Sequence, residues 1–508
     1  MPVIPFGDYR PDITDYNGQA TRLAQNVFPR GDGYGPVPSL TAYTVALPGG
    51  VCRGFFYARK NDGSIQIFAG TAQRLYTWTT AAGGSWIDVS NGGTAYATIA
   101  VDGQWQFRQF NNWVLAVNGN VLPQKFDLTA TGNTFVNIGK TVGTFFGPPS
   151  AKYIAIVNRF VVLSGITTAG AVYRVQWSDL NDVDEWRGPG FGTNGLSDLQ
   201  DLADGGMCRG VVGGEAGIIM QDTAIRRMTF SPGSPYTFGI DRISVDDGLL
   251  APYSLISSGD RIFFLSPQGF KMLVPGGYPT PVAKERFDRS FLGDMDQTQL
   301  QMVIGATDPR RTRVYWAYKS VNGVAGQFDR IAVYDWALKN GSIINQRGEY
   351  IATLSQPAVG LDDGPPFPYS IPPTDSVDNQ NIASWDNISV ATYSQLGGAF
   401  TDHTLGFFAG ANLEATIDTA EQSGDGRRFR IRGMRPVTDA PVAFCSTMAR
   451  DTLQATATQS AESGLNIAGK CPQNVSTRYA RGRLRVPAGT VWSFATGIEP
   501  DLIAEGTQ

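Results

Sequence analysis

Two runs of arginine hold the densest charge in this chain. Arg427, Arg428, Arg430, Arg432 and Arg435 fall within nine residues, and Arg478, Arg481, Arg483 and Arg485 fall within eight. Each run alternates charge with apolar residues, Phe429 and Ile431 in the first, Leu484 and Val486 in the second. On a strand, alternate side chains share a face, so Arg428, Arg430 and Arg432 would line up together. The guanidinium fork matches carboxylate and phosphate geometry. The nine arginines are therefore candidates for a subunit or partner interface, with contact to a DNA backbone as the competing chemistry. Formal net charge is −4, from 45 acidic and 41 basic residues. A chain of that balance is not a polycation seeking nucleic acid, and it favours arginine-to-carboxylate contacts between copies.

Catalytic residue types are scarce. The chain has one histidine, His403, so a Ser/His/Asp triad or a His-based metal site would rest on it alone. Asp402 is placed to orient its ring, but a single strand-end histidine is read as structural. The run Asp179, Asp182, Asp184 and Glu185 resembles a calcium loop, yet Val183 falls where a ligand is needed and the glycine of the sharp turn is missing. Residues 464–471 approach a phosphate-cradling loop, but Cys471 replaces the hydroxyl that binds magnesium and Pro472 follows where a helix should begin. Gly190, Gly192 and Gly195 match G-x-G-x-x-G, a pattern that 60 glycines in 508 residues produce by chance, and no strand–helix context surrounds it. The expected catalytic, metal and cofactor-binding residues are none, and no cofactor is expected.

The elements that would carry the arginines are strands. From Val51 to about Asn345 the chain restarts one pattern six times, near Val51, Gln104, Ala151, Cys208, Ala251 and Leu300. Each restart gives a short apolar strand, a Gly/Asn/Asp turn, an aromatic strand, and a further strand bearing Trp or Phe. A period of that length built from about four short strands is the signature of a β-propeller blade. Ile65, Ile67 and Ala69 alternate with Ser64, Gln66 and Phe68, as in a half-buried strand. Helical periodicity is nearly absent, and its best stretch is 297–304. The predicted fold is all-β: an extended Pro/Gly-rich arm over 1–50, a β-propeller of about six blades over 51–350, a Pro/Asp-rich linker or loop over 351–386, and an additional C-terminal β module over 387–508.

Four widely spaced cysteines, Cys52, Cys208, Cys445 and Cys471, read as reduced buried thiols rather than a disulfide framework. No secretory signal is visible at the start of the sequence, and the most apolar window, 153–166, is too short to span a bilayer. The expectation is a protein made in the cytoplasm with no membrane-spanning segment.

Several short segments resemble the tail nozzle family of short-tailed bacteriophages, also called tail tubular or packaged-DNA stabilisation proteins. They are Asn26-Val-Phe-Pro29 with the following Gly33-Tyr-Gly35-Pro-Val-Pro38-Ser-Leu, Val175-Gln-Trp177-Ser-Asp179 with Asp184-Glu-Trp186, Phe264-Leu-Ser-Pro-Gln-Gly269-Phe, Ala332-Val-Tyr-Asp335-Trp336, and 400–417. The resemblance implies a virion structural protein in the phage tail, synthesised in the host cytoplasm. It implies a homo-oligomer, a hexameric ring closing the DNA channel, that retains packaged DNA and anchors fibres or spikes. Its partners would be a portal or tail-adaptor protein, tail fibre or spike proteins, and double-stranded DNA passing through without specific binding. The long C-terminal module departs from a simple propeller.

On this reading the chain is not an enzyme. The alternative is a propeller-based carbohydrate-binding protein or glycan-active enzyme, for which Trp78, Trp86, Trp105 and Trp113 offer stacking surfaces. A further expectation is that the arm and both arginine strands serve contacts rather than stability. Charge reversal at Arg430 and Arg483 would then weaken assembly and leave the monomer's unfolding midpoint nearly unchanged. A channel that must release DNA quickly would keep these arginines off its axis.

Overall fold

The computed structural model describes residues 3–505 apart from 15, 17, 81–83, 140–146, 187–194, 356–393 and 425. Among the described residues the chain is all-β, interrupted by one short α-helix, Asp288–Asp294, and a few 3-10 turns. No helix is long and apolar enough to cross a membrane.

All six expected repeats are four-stranded antiparallel meanders, with first strands at Phe55–Arg59, Gln106–Phe110, Ala151–Val157, Cys208–Val212, Ile256–Ser258 and Ile304–Thr307. Turn chemistry sets their registers. Asn158 and Arg159 both have positive φ (43° and 68°), the twist a two-residue hairpin needs, and they bring Val157 opposite Phe160. The returning strand, Phe160–Ile166, is buried along its whole length, as a strand packed on both faces must be.

A seventh four-stranded sheet corrects the expected division of the chain. It joins Tyr350–Ser355, Ser394–Ala399 and Leu405–Asn412 to Pro38–Ala42 from the segment expected as an extended arm. Thr41 pairs with Phe407 and Leu40 with Phe408, so a strand that precedes the first unit completes the last one. Residues 350–355, assigned to the propeller's end and the linker, are its first strand; residues 356–386 of the expected linker lie outside the described residues. Residues 394–412, expected in the C-terminal module, also belong to this sheet.

The seven units form a closed, propeller-like series. Their first strands touch in order from Phe55–Arg59 to Gln106–Phe110, Ala151–Val157 and Cys208–Val212, then through the turn Pro252–Ser254 and Ile256–Ser258 to Ile304–Thr307, Tyr350–Ser355 and back to Phe55–Arg59. An apolar cluster fills each junction, and the one between units five and six continues beyond the ring. Trp105 and Phe68 sit between units one and two, Phe160 and Met228 between three and four, and Leu354, Leu405 and Phe55 between seven and one. The close approach of units one and two requires Gly70, where any Cβ would collide with the Trp105 indole.

The rest of the chain is a two-sheet sandwich. One sheet runs Val27–Arg30, Gly33–Pro36, Ala495–Ala504, Phe429–Thr438, Cys471–Thr477, with Ile4–Pro5 added on Ala495–Ala504. The other runs Ala24–Gln25, Ala415–Asp418, Tyr479–Val486, Phe444–Arg450, Thr458–Gln459. Five short strands within residues 3–42 are therefore paired into sheets, because they have open edges to complete. The second sheet continues into unit six through a parallel contact of Gln25 with Ile343. Asn26 holds that joint in place. Its backbone N–H donates to the Ile343 carbonyl (2.8 Å), its amide donates to the Glu414 carbonyl (2.7 Å), and its Oδ1 accepts from Asn345 N–H (2.7 Å). One apolar cluster runs through the joint, from Phe263, Phe270 and Trp316 to Ile417, Leu484 and Ile498.

The stretch with the best helical periodicity, 297–304, holds a 3-10 turn, Leu300–Met302, and ends in a strand at Ile304. Cross-strand pairing of Ile304 with Ala317 holds this β-branched residue in the sheet. The α-helix lies just before it, and its Phe291 packs on Phe270 and Tyr318 with ring centroids 4.6 and 4.5 Å apart.

Candidate interface on the arginine-bearing sandwich

Period-2 alternation places the arginines. In Tyr479–Val486, Ala480, Gly482, Leu484 and Val486 are buried while Arg481, Arg483 and Arg485 point outward. Gly482 allows the two sheets to close, since a Cβ there would meet Ile498 at 2.8 Å. In Phe429–Thr438, Phe429, Ile431 and Met434 turn inward and Arg430, Arg432 and Arg435 outward; a β-bulge between Ile431 and Gly433 keeps Arg435 on the outer side. The two strands lie in different sheets, so their arginines occupy opposite outer faces of the sandwich rather than one patch.

On the first face the pairs are open to solvent. Arg432 donates to Asp501 (2.8 Å) with the two side chains 56% and 29% exposed, and Lys470 also reaches Asp501. Lys470 first, then Arg432, holds the Asp501 carboxyl below its ordinary pKa. Arg435 meets Glu499 at 3.3 Å, Arg430 donates to Asn474 (2.7 Å), and Arg428 grips both oxygens of Asp451 (3.0 and 2.8 Å). Exposed pairs of this kind contribute little to stability.

The second face is built differently. Arg483 makes a two-pronged contact with Asp418 (2.7 and 2.9 Å), and Arg481 lies 3.4 Å from the same carboxylate, whose side chain is 1% exposed. Hydrogen bonding to Asp418 raises the Arg483 pKa. Arg485 bridges Glu462 (2.8 Å) and Glu414 (3.0 Å) and lies 4.6 Å over the Phe444 ring. Arg450 clasps Glu421, whose side chain is 2% exposed. Of the two remaining candidates, Arg427 is exposed beside a turn, and Arg478 is half-buried with an Nε that makes no hydrogen bond. The expectation that reversing Arg483 would spare the monomer is corrected here. Asp418 is buried, and it would be left facing a like charge.

The other sequence candidates resolve into structure. His403 is oriented by Glu349, 2.6 Å from its Nδ1, while Asp402 accepts from the Thr404 N–H (3.1 Å) and hydroxyl (2.8 Å). The second Glu349 oxygen accepts from the Cys52 backbone N–H (2.7 Å). Burial pushes Glu349 above its ordinary pKa and the Cys52 thiol up to about 12, so Cys52 is no nucleophile at neutral pH. The cluster ties unit seven to unit one. All four cysteines are buried free thiols.

Trp105 is fully buried, Trp78 and Trp86 pack edge to face at 5.2 Å, and Lys125 covers the Trp113 ring, so these indoles serve packing rather than an open sugar platform. In the acidic run, Asp184 pairs with Lys125, Asp179 accepts from Leu180 and Leu196 N–H, and Asp182 caps the Asp184 N–H. No cluster suited to a metal ion occurs among the described residues. Residues 464–471 form a turn leading into Cys471–Thr477, a strand and not a helix. The G-x-G-x-x-G stretch lies almost entirely outside the described residues. Sequence reading missed Glu349 and Asp418, each more than fifty residues from the group it serves, because pairing at that distance leaves no local pattern.

No protein-family profile matches the chain, and no curated protein matches it. Solved structures with partial likeness include the extracellular domain of a one-component system from B. thetaiotaomicron, at 10% identity and a TM-score of 0.38, covering 63% of this chain and 37% of that one. Dihydro-heme d1 dehydrogenase NirN aligns at 13% identity and a TM-score of 0.34, over 62% of this chain and 61% of its own. A protein from Lactobacillus plantarum aligns at 10% and 0.36, over 58% and 84%. This chain thus spans well under two thirds of the first of these structures, and likeness at these scores bears on neither activity nor partner.

Proposed function

We propose that this chain is a structural subunit of a short-tailed phage virion, one copy of the ring-shaped tail nozzle that closes the DNA channel. The seven units are read as a seven-bladed propeller that gives the subunit a rigid body, with the sandwich as its contact platform. The observation that carries the reading is the outer face of Phe429–Thr438, where Arg430, Arg432 and Arg435 stand exposed among Asp501, Glu499 and Asn474. Such a mosaic exchanges partners with a matching face at little cost to the fold. A hexamer, a portal or tail-adaptor protein above it, fibres or spikes outside it, and DNA passing through it follow from the family resemblance.

The arginine pairing also favours weak DNA contact. Most of these guanidiniums already hold a carboxylate, so each phosphate contact would displace one, and the chain is net negative. Negative-stain electron microscopy of the purified protein tests the reading: closed rings are expected, and single particles at micromolar concentration would overturn it. Binding to duplex DNA is expected to be weak, with a shallow salt slope; tight binding with a steep slope would place the arginines on DNA instead.

A further inference from the structure

Where the first strands converge, residues of units one, two, six and seven and the turn before unit five line a cavity of about 590 Å³. Its walls mix aromatic rings, among them Phe56, Tyr253 and Tyr350, with the polar side chains of Arg59, Arg108 and Gln109. No aspartate or glutamate lines it. The Arg108 guanidinium donates to its neighbour's carbonyl, Phe107 O, at 2.8 Å, and makes no ion pair among the described residues. Arg59, exposed at the rim, likewise lacks a carboxylate partner among the described residues, and its backbone is clipped to Gln109 through hydrogen bonds of 2.9 and 2.6 Å. Several other half-buried or buried cations of the described residues do have carboxylates, as Arg483 has Asp418, Lys319 has Asp296 and Arg313 has Asp335, whereas Arg53, 6% exposed, makes no ion pair within 4 Å.

A half-buried guanidinium without a counter-charge gains nothing from its surroundings, and partial burial pushes Arg108 below its ordinary pKa. An anionic group entering the cavity would reverse that by a two-pronged, charge-assisted contact. The volume lies within the range of small-molecule sites, and aromatic walls with a few polar groups are the usual lining.

We propose that this axial cavity binds a small organic anion, its carboxylate or phosphate paired with Arg108 and Arg59 and its apolar part against the aromatic wall. The site does not rest on the virion reading, since it lies apart from the sandwich faces. Calorimetric titration of the full chain with phenyl phosphate in one arm and benzoate in the other distinguishes the two head groups, with sodium chloride as the ionic-strength control. Saturable binding is expected in at least one arm, weakened at least tenfold in Arg108→Gln and unchanged in Arg289→Gln, a surface arginine outside the cavity. Absence of saturable binding in both arms, or equal affinity in Arg108→Gln, overturns the site. Should Arg108→Gln fail to fold, a structure of the wild-type protein at saturating ligand decides: the anion against Arg108 supports the proposal, and an empty cavity refutes it.

Discussion

Phe429–Thr438 and Tyr479–Val486 carry the same alternation of arginine and apolar residue, yet their charges are set in different surroundings. The first strand faces carboxylates about a third exposed, Asp501 at 29% and Glu499 at 34%, whereas the second surrounds an Asp418 that is 1% exposed. The alternation determines which way the guanidiniums point. What they do there depends on how deeply the partner is buried, because the cost of an unpaired charge grows as water is excluded. Pairs on the first face can be exchanged at little cost to the fold, whereas those around Asp418 cannot.

Removing the buried partner is the hardest test of that contrast. Asp418→Ala leaves Arg483 and Arg481 without their shared counter-ion and is expected to cost about 3–5 kcal/mol, read from denaturant unfolding. A loss under about 1 kcal/mol would make the two faces equivalent.

Asp288 sharpens the comparison from the other side, as a buried carboxylate without an ion pair among the described residues. It is 7% exposed, accepts the Phe270 N–H at 3.1 Å, and burial raises its pKa to about 6 from 3.8. A raised folded-state value means its contribution is fully present below about pH 4 and is lost as pH rises to about 6. Asp288→Asn should therefore gain on the wild type across that window and stay ahead by about 3 kcal/mol at pH 7. Parallel stability curves from pH 4 to 7 would contradict it.

Asn26 tests whether ring and sandwich are coupled through the joint. Asn26→Ala removes both side-chain hydrogen bonds and strains a backbone at φ 56°, with an expected cost of about 1–3 kcal/mol. Asn26→Gly removes the same bonds but suits the conformation, so it should cost less. An equal cost would assign the whole effect to the hydrogen bonds.

The ring was more legible in the sequence than the sandwich, for a physical reason. Each meander pairs neighbours a few residues apart, so apolar alternation and turns such as Asn158-Arg159 mark it locally, and all six expected units begin within five residues of the observed first strands. The seventh sheet pairs Leu40 with Phe408, and the sandwich pairs Tyr34 with Ala495. Contacts of that span leave no periodicity, and residues 1–50 read as an arm because their strands are short and rich in Pro and Gly. The outward direction of Arg481, Arg483 and Arg485 followed from alternation alone, but Asp418, which decides their role, is over sixty residues away.

On the proposed reading, the outer face of Phe429–Thr438 serves contacts between copies while Asp418 and its arginines serve the fold. Size-exclusion chromatography with light scattering on the wild type and on Arg432→Glu/Arg435→Glu tests it most directly. The account predicts a defined multimer for the wild type, and a monomer with an unchanged unfolding midpoint for the variant. A monomeric wild type, or a variant that keeps the full multimer mass, would contradict it.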